Sequence, residues 1–190
     1  MARYKDDVCD RIWFPFQLNE TKPLSTNMDL LGQGSYKLPA IVMSSAATPV
    51  NASAPLQFHW NSDNVNDQYY LYMHFREVEE LAANETRAFN FSVNDKFQYG
   101  PVTPYTTIFS RKPMTGAKRY QVSLSKIENS TLPPIINAFE VYKVKDFSQS
   151  ETHQDDGKLA LCLIEKHTAS SVLKYSILLE YFQLHELFLH

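Results

Sequence analysis

The chain has 190 residues, enough for one domain, since domains most often run to about 100–150 residues. Hydrophobic residues make up 44% and charged residues 21%, a globular composition that excludes a disordered chain. The formal net charge of −3 is too small to attract nucleic acid, so no nucleic-acid partner is expected.

Five short segments carry strand signals, and the high count of 12 Phe and 11 Tyr supports them because aromatic side chains suit half-buried pleated surfaces. The first, third, fourth and fifth of them alternate between apolar and polar residues, whereas the second is apolar throughout and is typical of a strand covered on both faces. Turn-forming residues such as Asn94-Asp95 and Gly100-Pro101 lie between them. This pattern predicts an all-β fold, either a sandwich or a barrel. In chain order the five segments cover 56–60, 69–75, 89–93, 120–124 and 138–144.

A short acidic stretch follows the second strand signal. Residues 78–81 look locally helical, and we expect a short turn there with Glu77, Glu79 and Glu80 facing solvent. His74 and Glu77 resemble an acid/base or metal pair. Residues three apart in a strand point to opposite faces, however, so we expect these two side chains to diverge.

The composition divides the chain into three parts. Residues 1–145 hold the strand signals, 146–157 form a polar linker, and 158–190 form an apolar tail. The tail has apolar residues at helical spacing, interrupted by charges that make it a poor membrane helix. We expect the tail to pack poorly or as an isolated helix, so that its deletion leaves the melting temperature nearly unchanged. The residues at helical spacing are Leu173, Ile177, Tyr181, Leu184 and Phe188.

The sequence shows no recognisable targeting signal. Its first residues are polar, without the apolar segment of a signal peptide, and no apolar run is long enough to span a membrane. Cys9 and Cys162 are far apart in sequence, and we expect two separate thiols rather than one disulfide.

The strongest local signal is a set of five N-x-S/T sequons. They suggest N-glycosylation, although polar loops rich in Asn and Ser would also produce such tripeptides. The fourth site lies within a strand signal and would have to face solvent to be modified. The candidate sites are Asn19, Asn51, Asn84, Asn90 and Asn129.

Catalytic and metal motifs are absent from the sequence. There is no G-x-S-x-G elbow, phosphate-binding loop or dinucleotide fingerprint. Asp6-Asp7 and Asp155-Asp156 lack the alternating oxygen ligands and glycine of a calcium loop, so we expect solvated charges. We therefore predict no enzyme activity, no metal and no cofactor.

The aromatic residues fall into two groups. Side chains of the first group are expected in the core, whereas those of the second lie near prolines in loops, where they could stack on sugar rings or anchor a peptide. The core group is Trp13, Trp60, Tyr70 and Tyr72. The binding candidates are Tyr99, Tyr105 and Phe109.

An ordered series of motifs over residues 3–156 resembles the second lobe of the plant malectin-like domain. It begins with Arg3-Tyr4-Lys5-Asp6-Asp7 and Asp10-Arg11-Ile12-Trp13 and continues with residues 39–49. Pro55-Leu56, Phe58 and Trp60 follow, and then residues 69–77. Residues 130–138 with Glu140-Val141-Tyr142 complete the series.

The resemblance implies a jelly-roll-like β-sandwich from the ectodomain of a leucine-rich-repeat receptor-like kinase, extracellular or associated with the plasma membrane and glycosylated. It implies recognition of cell-wall carbohydrate or of a peptide or protein ligand, with other receptor-like kinases as further partners. It transfers no ligand-binding residue to this chain. The first lobe is missing here, and the tail after Asp156 departs from the family pattern.

Three functions follow as hypotheses. The first is a non-catalytic module that binds carbohydrate or a peptide. The second is a truncated interaction or structural fragment, a decoy partner of full-length receptors without its own ligand. The third, a glycan-processing enzyme, lacks the paired carboxylates that this chemistry needs.

Overall fold

The computed structural model describes residues 2–7, 9–16, 18–27 and 38–144, together with the backbone of 180–181. Its one described helix is α1, Ala40–Met43. The strands are β1 Ala2–Arg3, β2 Ile12–Trp13, β3 Thr21–Ser25, β4 Ser45–Pro49, β5 Leu56–Asn61, β6 Tyr69–Phe75, β7 Phe89–Val93, β8 Lys96–Val102, β9 Thr106–Phe109, β10 Arg119–Lys126, β11 Ala138–Lys143 and β12 Glu180–Tyr181.

Two four-stranded antiparallel sheets form the body of the domain, in the orders β5-β10-β7-β8 and β12-β11-β6-β9. Two small sheets, β1-β2 and β3-β4, accompany them. β8 and β9 follow each other in the chain, each ends its sheet, and residues 103–105 connect them. β8 and this connection carry the candidate site.

Local alternation explains most of the strands. In β5 and β7 every second side chain is buried, as the apolar–polar pattern predicts. In β6 nearly every side chain is buried, which confirms the prediction of a strand covered on both faces. The five predicted strand segments correspond to β5, β6, β7, β10 and β11, so all five are confirmed.

The core lies between the two large sheets, and aromatic contacts join them. Phe58 of β5 stacks on Phe139 of β11 with ring centroids 4.1 Å apart. Phe75 of β6 meets Phe89 of β7 edge to face at 5.2 Å. The prediction of an all-β sandwich is confirmed.

The turn between β7 and β8 has the conformation of a tight hairpin. Asn94 and Asp95 adopt positive φ angles of 47° and 61°, which suit Asn and Asp in such turns. The Asn94 side chain also ties the turn to β10, since its Oδ1 accepts from the Gln121 N–H at 2.8 Å. The predicted turn is confirmed.

Two predicted features differ from the structure. Residues 78–81, where we expect a short turn, are irregular with a bend at Glu79, and the described helix lies at Ala40–Met43. Within the tail, Glu180–Tyr181 is a strand paired with β11, although the spacing predicts a helix there. The linker 146–157 and the rest of 158–190 lie outside the described residues.

Cys9 corrects a further expectation. It is buried and disulfide-bonded, although distance in sequence favours separate thiols. The other cysteine, Cys162, lies outside the described residues.

Candidate functional site

Exposed aromatic side chains lie on the edge strand β8 and in the connection from β8 to β9. Phe97 and Tyr99 of β8 are 64% and 55% exposed, and Tyr105, just before β9, is 78% exposed. The pairing with β7 is irregular between these two residues, because Tyr99 lies opposite Phe91 whereas Phe97 lies opposite Ser92. This register shift interrupts the alternation of faces, and both rings are exposed. We refer to Phe97, Tyr99 and Tyr105 as the aromatic edge. Large rings that face solvent can stack on sugars or hold a peptide.

The backbones of β7 and β8 approach each other closely at Gly100, next to Tyr99 of the aromatic edge. A side-chain carbon at Gly100 would lie 2.1 Å from Oδ1 of Asn90 and 3.1 Å from its Cα. Only glycine therefore fits beside Asn90 without a shift of the neighbouring strand. The pairing of β7 with β8 is also irregular, with register shifts on either side of Phe91.

Tyr105 has a strained backbone. Its φ is 150°, a region that residues other than glycine rarely adopt. Strained residues of this kind cluster at functional sites, where the surrounding structure holds them in place. The strain at Tyr105 presents a large ring to solvent.

The burial of the other aromatic residues agrees only partly with the prediction. Trp60 and Tyr72 are buried as predicted, whereas Trp13 and Tyr70 are half-buried. Phe109 is half-buried and stacks on Tyr72 with ring centroids 5.7 Å apart, so it does not extend the aromatic edge. Phe97 was missed by sequence reasoning, because the register shift between β7 and β8 interrupts the alternation that local spacing predicts.

His74 and Glu77 diverge, as predicted. His74 is fully buried, with Nδ1 3.0 Å from Thr107 Oγ1 and Nε2 2.8 Å from Glu140 Oε1. Glu77 is also buried but has a different partner, since Arg87 Nε donates to its Oε2 at 2.8 Å. The expectation that Glu77 faces solvent is wrong, because it neutralises a buried guanidinium, while Glu79 and Glu80 are exposed as predicted.

Asp7 is the second acidic residue that the structure corrects. It is buried rather than solvated, and its Oδ1 and Oδ2 accept from Arg11 Nε at 3.0 and 2.9 Å. Trp13 Nε1 also donates to Asp7 Oδ2 at 2.7 Å. Asp6 is exposed as predicted, and Asp155-Asp156 lies outside the described residues.

Glu140 of β11 links the Asp7–Arg11 ion pair of the N-terminal segment to the sheet. Its carboxylate meets Arg11 Nη1 at 3.3 Å and accepts hydrogen bonds from His74 and Tyr142. Burial alone would raise the pKa of Glu140. The hydrogen bond from His74, the charges of His74 and Arg11 and the Tyr142 hydroxyl instead lower it to about 2. Each member already has a partner, so the cluster is a structural tie.

The five sequon asparagines lie in different settings. Asn90 is half-buried in β7 against Gly100, which makes it the least accessible of the five. The other four are exposed in loops and turns: Asn19, Asn51, Asn84 and Asn129. Their glycosylation stays a prediction.

Among the described residues, no group of three or more His, Cys, Asp or Glu side chains is placed to hold a metal ion. Within the same residues, no helix is long and apolar enough to cross a membrane.

Comparison with known proteins places this fold in a family. The profile of the malectin-like domain matches residues 1–144. The chain belongs to the malectin-like domain family. A probable LRR receptor-like serine/threonine-protein kinase of Arabidopsis thaliana is 45% identical over 159 residues, which covers 81% of this chain and 18% of that protein. A probable leucine-rich repeat receptor-like protein kinase of the same plant is 41% identical with the same coverage. The chain thus spans about a fifth of these relatives' length and corresponds to their malectin-like portion.

Solved malectin-like ectodomains share the fold. The match to a complex of the plant peptide RALF23 with FER and LLG2 has a TM-score of 0.56 at 17% identity, covering 73% of this chain and 44% of the other. The ANX2 ectodomain of Arabidopsis thaliana matches with a TM-score of 0.52 at 17% identity, covering 68% and 41%. At this identity the likeness establishes the fold alone.

Proposed function

We propose that this chain is a non-catalytic, extracellular recognition module that binds carbohydrate or a peptide through its aromatic edge. The observation that carries the proposal is the exposure of Phe97 and Tyr99 on the edge strand β8 and of Tyr105 in the connection from β8 to β9. The family supports it, because matched relatives are receptor-like kinases and one matched ectodomain is bound to a peptide. The module is the second lobe of such an ectodomain in this proposal.

The aromatic edge suits ligands with apolar faces. Tyr and Phe offer rigid surface at low cost in side-chain entropy, and a tyrosine hydroxyl adds a hydrogen bond at the rim. Sugar rings and extended peptides both present such faces. The edge strands also expose backbone groups that an extended peptide could pair with.

Binding to glycan arrays and to cell-wall peptides tests the proposal. We expect binding of at least one ligand by the folded chain, and at least about tenfold weaker binding by Tyr99→Ala, a loss of about 1.4 kcal/mol. Val50→Ala is the matched control, because Val50 is exposed and lies outside the aromatic edge. Absence of binding by a correctly folded chain would overturn the proposal.

Tyr105→Gly separates binding from folding. Glycine tolerates the φ of 150° at this position, so this variant should unfold at a urea concentration equal to or higher than that of the wild type. Its ligand affinity should nevertheless fall by at least about tenfold, because the ring is gone. Unchanged affinity would exclude Tyr105 from the site.

A second candidate is an interaction fragment without its own ligand, a decoy partner of full-length receptors. The observation in its favour is that one matched structure is an assembly of several chains, RALF23 with FER and LLG2. Co-precipitation with full-length receptor-like kinases, undiminished in Tyr99→Ala and without binding on the arrays, would favour it.

A further inference from the structure

Two of the sequons meet in the folded domain. Asn84-Glu85-Thr86 lies in the loop before β7, and Asn129-Ser130-Thr131 lies in the loop after β10. Although 45 residues separate their threonines in sequence, the two tripeptides are directly hydrogen-bonded to each other.

Both asparagines occupy the same position in a turn. The Glu85 N–H donates to the Ala82 carbonyl at 2.9 Å, which makes Asn84 the third residue of a four-residue turn. The Ser130 N–H donates to the Ile127 carbonyl at 3.0 Å, which places Asn129 in the same way. Both asparagines are exposed, so each can carry a bulky group on the folded domain.

The hydroxyls of both sequons are occupied by the partner tripeptide. Thr86 Oγ1 donates to the Asn129 carbonyl at 3.0 Å, and Thr131 Oγ1 donates to the Thr86 carbonyl at 3.2 Å. The Thr86 N–H donates to Thr131 Oγ1 at 2.8 Å, and the Thr131 N–H donates to the Thr86 carbonyl at 3.0 Å. We call this set of bonds the sequon lock.

Buried groups beneath the lock hold it closed. Ser130, inside the second sequon, is buried, and its hydroxyl oxygen lies 3.0 Å from the Thr86 carbonyl and 2.8 Å from the Leu132 carbonyl, either of which can accept its one proton. Arg87 is buried next to Thr86, and its Nη1 donates to the Pro133 carbonyl at 2.6 Å. Opening the lock would remove the bonds from Thr131 and Ser130 to the Thr86 carbonyl, and losing hydrogen bonds next to buried groups is costly.

We propose that Asn84 and Asn129 are a pair of N-glycosylation sites that can be modified only before the sequon lock forms. Sequon recognition requires the Ser or Thr hydroxyl as well as the asparagine. In the folded chain the asparagines are accessible but both hydroxyls are engaged. The folded domain can therefore carry a glycan at each asparagine. It cannot, however, act as the substrate to which those glycans are attached.

The reaction is transfer from a polyprenyl-diphosphate-linked oligosaccharide. A bond forms between the anomeric carbon of the sugar and Nδ2 of the asparagine, while the bond from that carbon to the diphosphate oxygen breaks. The amide nitrogen loses one proton, and the polyprenyl diphosphate leaves with the bonding electrons. Two glycans attached in this way would cover one end of the sandwich, formed by the loops before β7 and after β10.

The first experiment measures site occupancy. The chain is secreted from eukaryotic cells behind an added leader, and mass spectrometry reads the glycan at each asparagine. We expect Asn84 and Asn129 to be occupied in the folded product, with Asn84→Gln and Asn129→Gln each losing one glycan. A folded, secreted chain that is bare at either site would overturn the proposal.

The second experiment tests the order of events. The folded, unmodified chain is incubated with microsomal transferase and its lipid-linked donor, beside synthetic peptides spanning 80–90 and 125–135. Both peptides should be modified at least tenfold faster than the same sites in the folded chain. Asn51 is the control, because the Ser53 hydroxyl makes no hydrogen bond within the described residues and should remain available. Equal rates for the peptides and the folded chain would overturn the proposal.

A variant gives the same information if the unmodified chain does not fold. Thr131→Val opens the lock from one side and keeps Asn84-Glu85-Thr86 intact. In cells where modification is incomplete, its Asn84 occupancy should rise above that of the wild type, and an unchanged occupancy would count against the lock. Since secretion is imposed by the leader and no ligand is used, failure here leaves the proposed recognition function standing.

Discussion

At the scale of single residues, Glu140 joins three distant parts of the chain. Its carboxylate contacts Arg11 of the N-terminal segment, His74 of β6 and Tyr142 of its own strand. Removing one partner of such a buried cluster leaves an uncompensated charge, which destabilises a protein much more than the loss of a surface pair.

The low pKa of Glu140 makes this contribution depend on pH. Its folded pKa of about 2, against an ordinary value of 4.5, corresponds to about 3 kcal/mol. Because the folded value is the lower one, the contribution is complete above about pH 4.5 and is lost as the pH falls towards 2. Urea unfolding of the wild type should show this loss of stability in acid.

Glu140→Gln should reduce that acid dependence. The variant should be less stable than the wild type at pH 7, and the difference should shrink towards pH 2 as the wild-type carboxylate is protonated. Glu80→Gln is the matched control, since Glu80 is exposed and should alter neither quantity. Parallel pH profiles for wild type and Glu140→Gln would contradict the assignment.

At the scale of elements, the β7–β8 hairpin depends on a close backbone approach. Gly100→Ala places a methyl group within 2.1 Å of Asn90 Oδ1, so Asn90 and its strand must shift. Overpacking of this kind costs about 1–3 kcal/mol, and we expect a lower midpoint of urea unfolding.

A second substitution identifies the cause of that loss. Asn90→Ala removes the Oδ1 contact and should restore part of the stability of Gly100→Ala, but only part, because the Asn90 Cα also lies 3.1 Å away. Gly116→Ala is the comparison: nothing lies within 4 Å of its added carbon, and its φ of 92° alone makes it strained. Asn90→Ala should not rescue Gly116→Ala.

At the scale of the whole molecule, the sandwich and the tail can be separated by experiment. The apolar core between the large sheets draws on residues from β5, β6, β7 and β10. We expect a chain lacking residues 158–190 to keep its melting temperature under reducing conditions. Under oxidising conditions a decrease is expected, because Cys9 is disulfide-bonded and the deletion removes the only other cysteine of the chain.

The same measurement can contradict the predicted division of the chain. A large decrease in melting temperature under reducing conditions would show that apolar side chains of the tail belong to the core. The domain boundary would then lie beyond residue 145.

Much of the fold was predictable because its signals are local. Alternation identified β5 and β7, and the Asn94-Asp95 turn was visible from residue type alone. The charged groups were less predictable. Asp7 and Glu77 look like solvated acids in sequence, and only burial beside Arg11 and Arg87 gives them another role.

The sequence by itself determined the β-rich fold, the family and the positions of the five sequons, because strand periodicity and short motifs act over a few neighbouring residues. Only the tertiary structure decided which aromatic residues remain exposed, since that depends on which strands end each sheet. It also brought Thr86 to Thr131 and Arg11 to Glu140. These contacts join residues 45 and 129 positions apart, and no local pattern encodes such pairs.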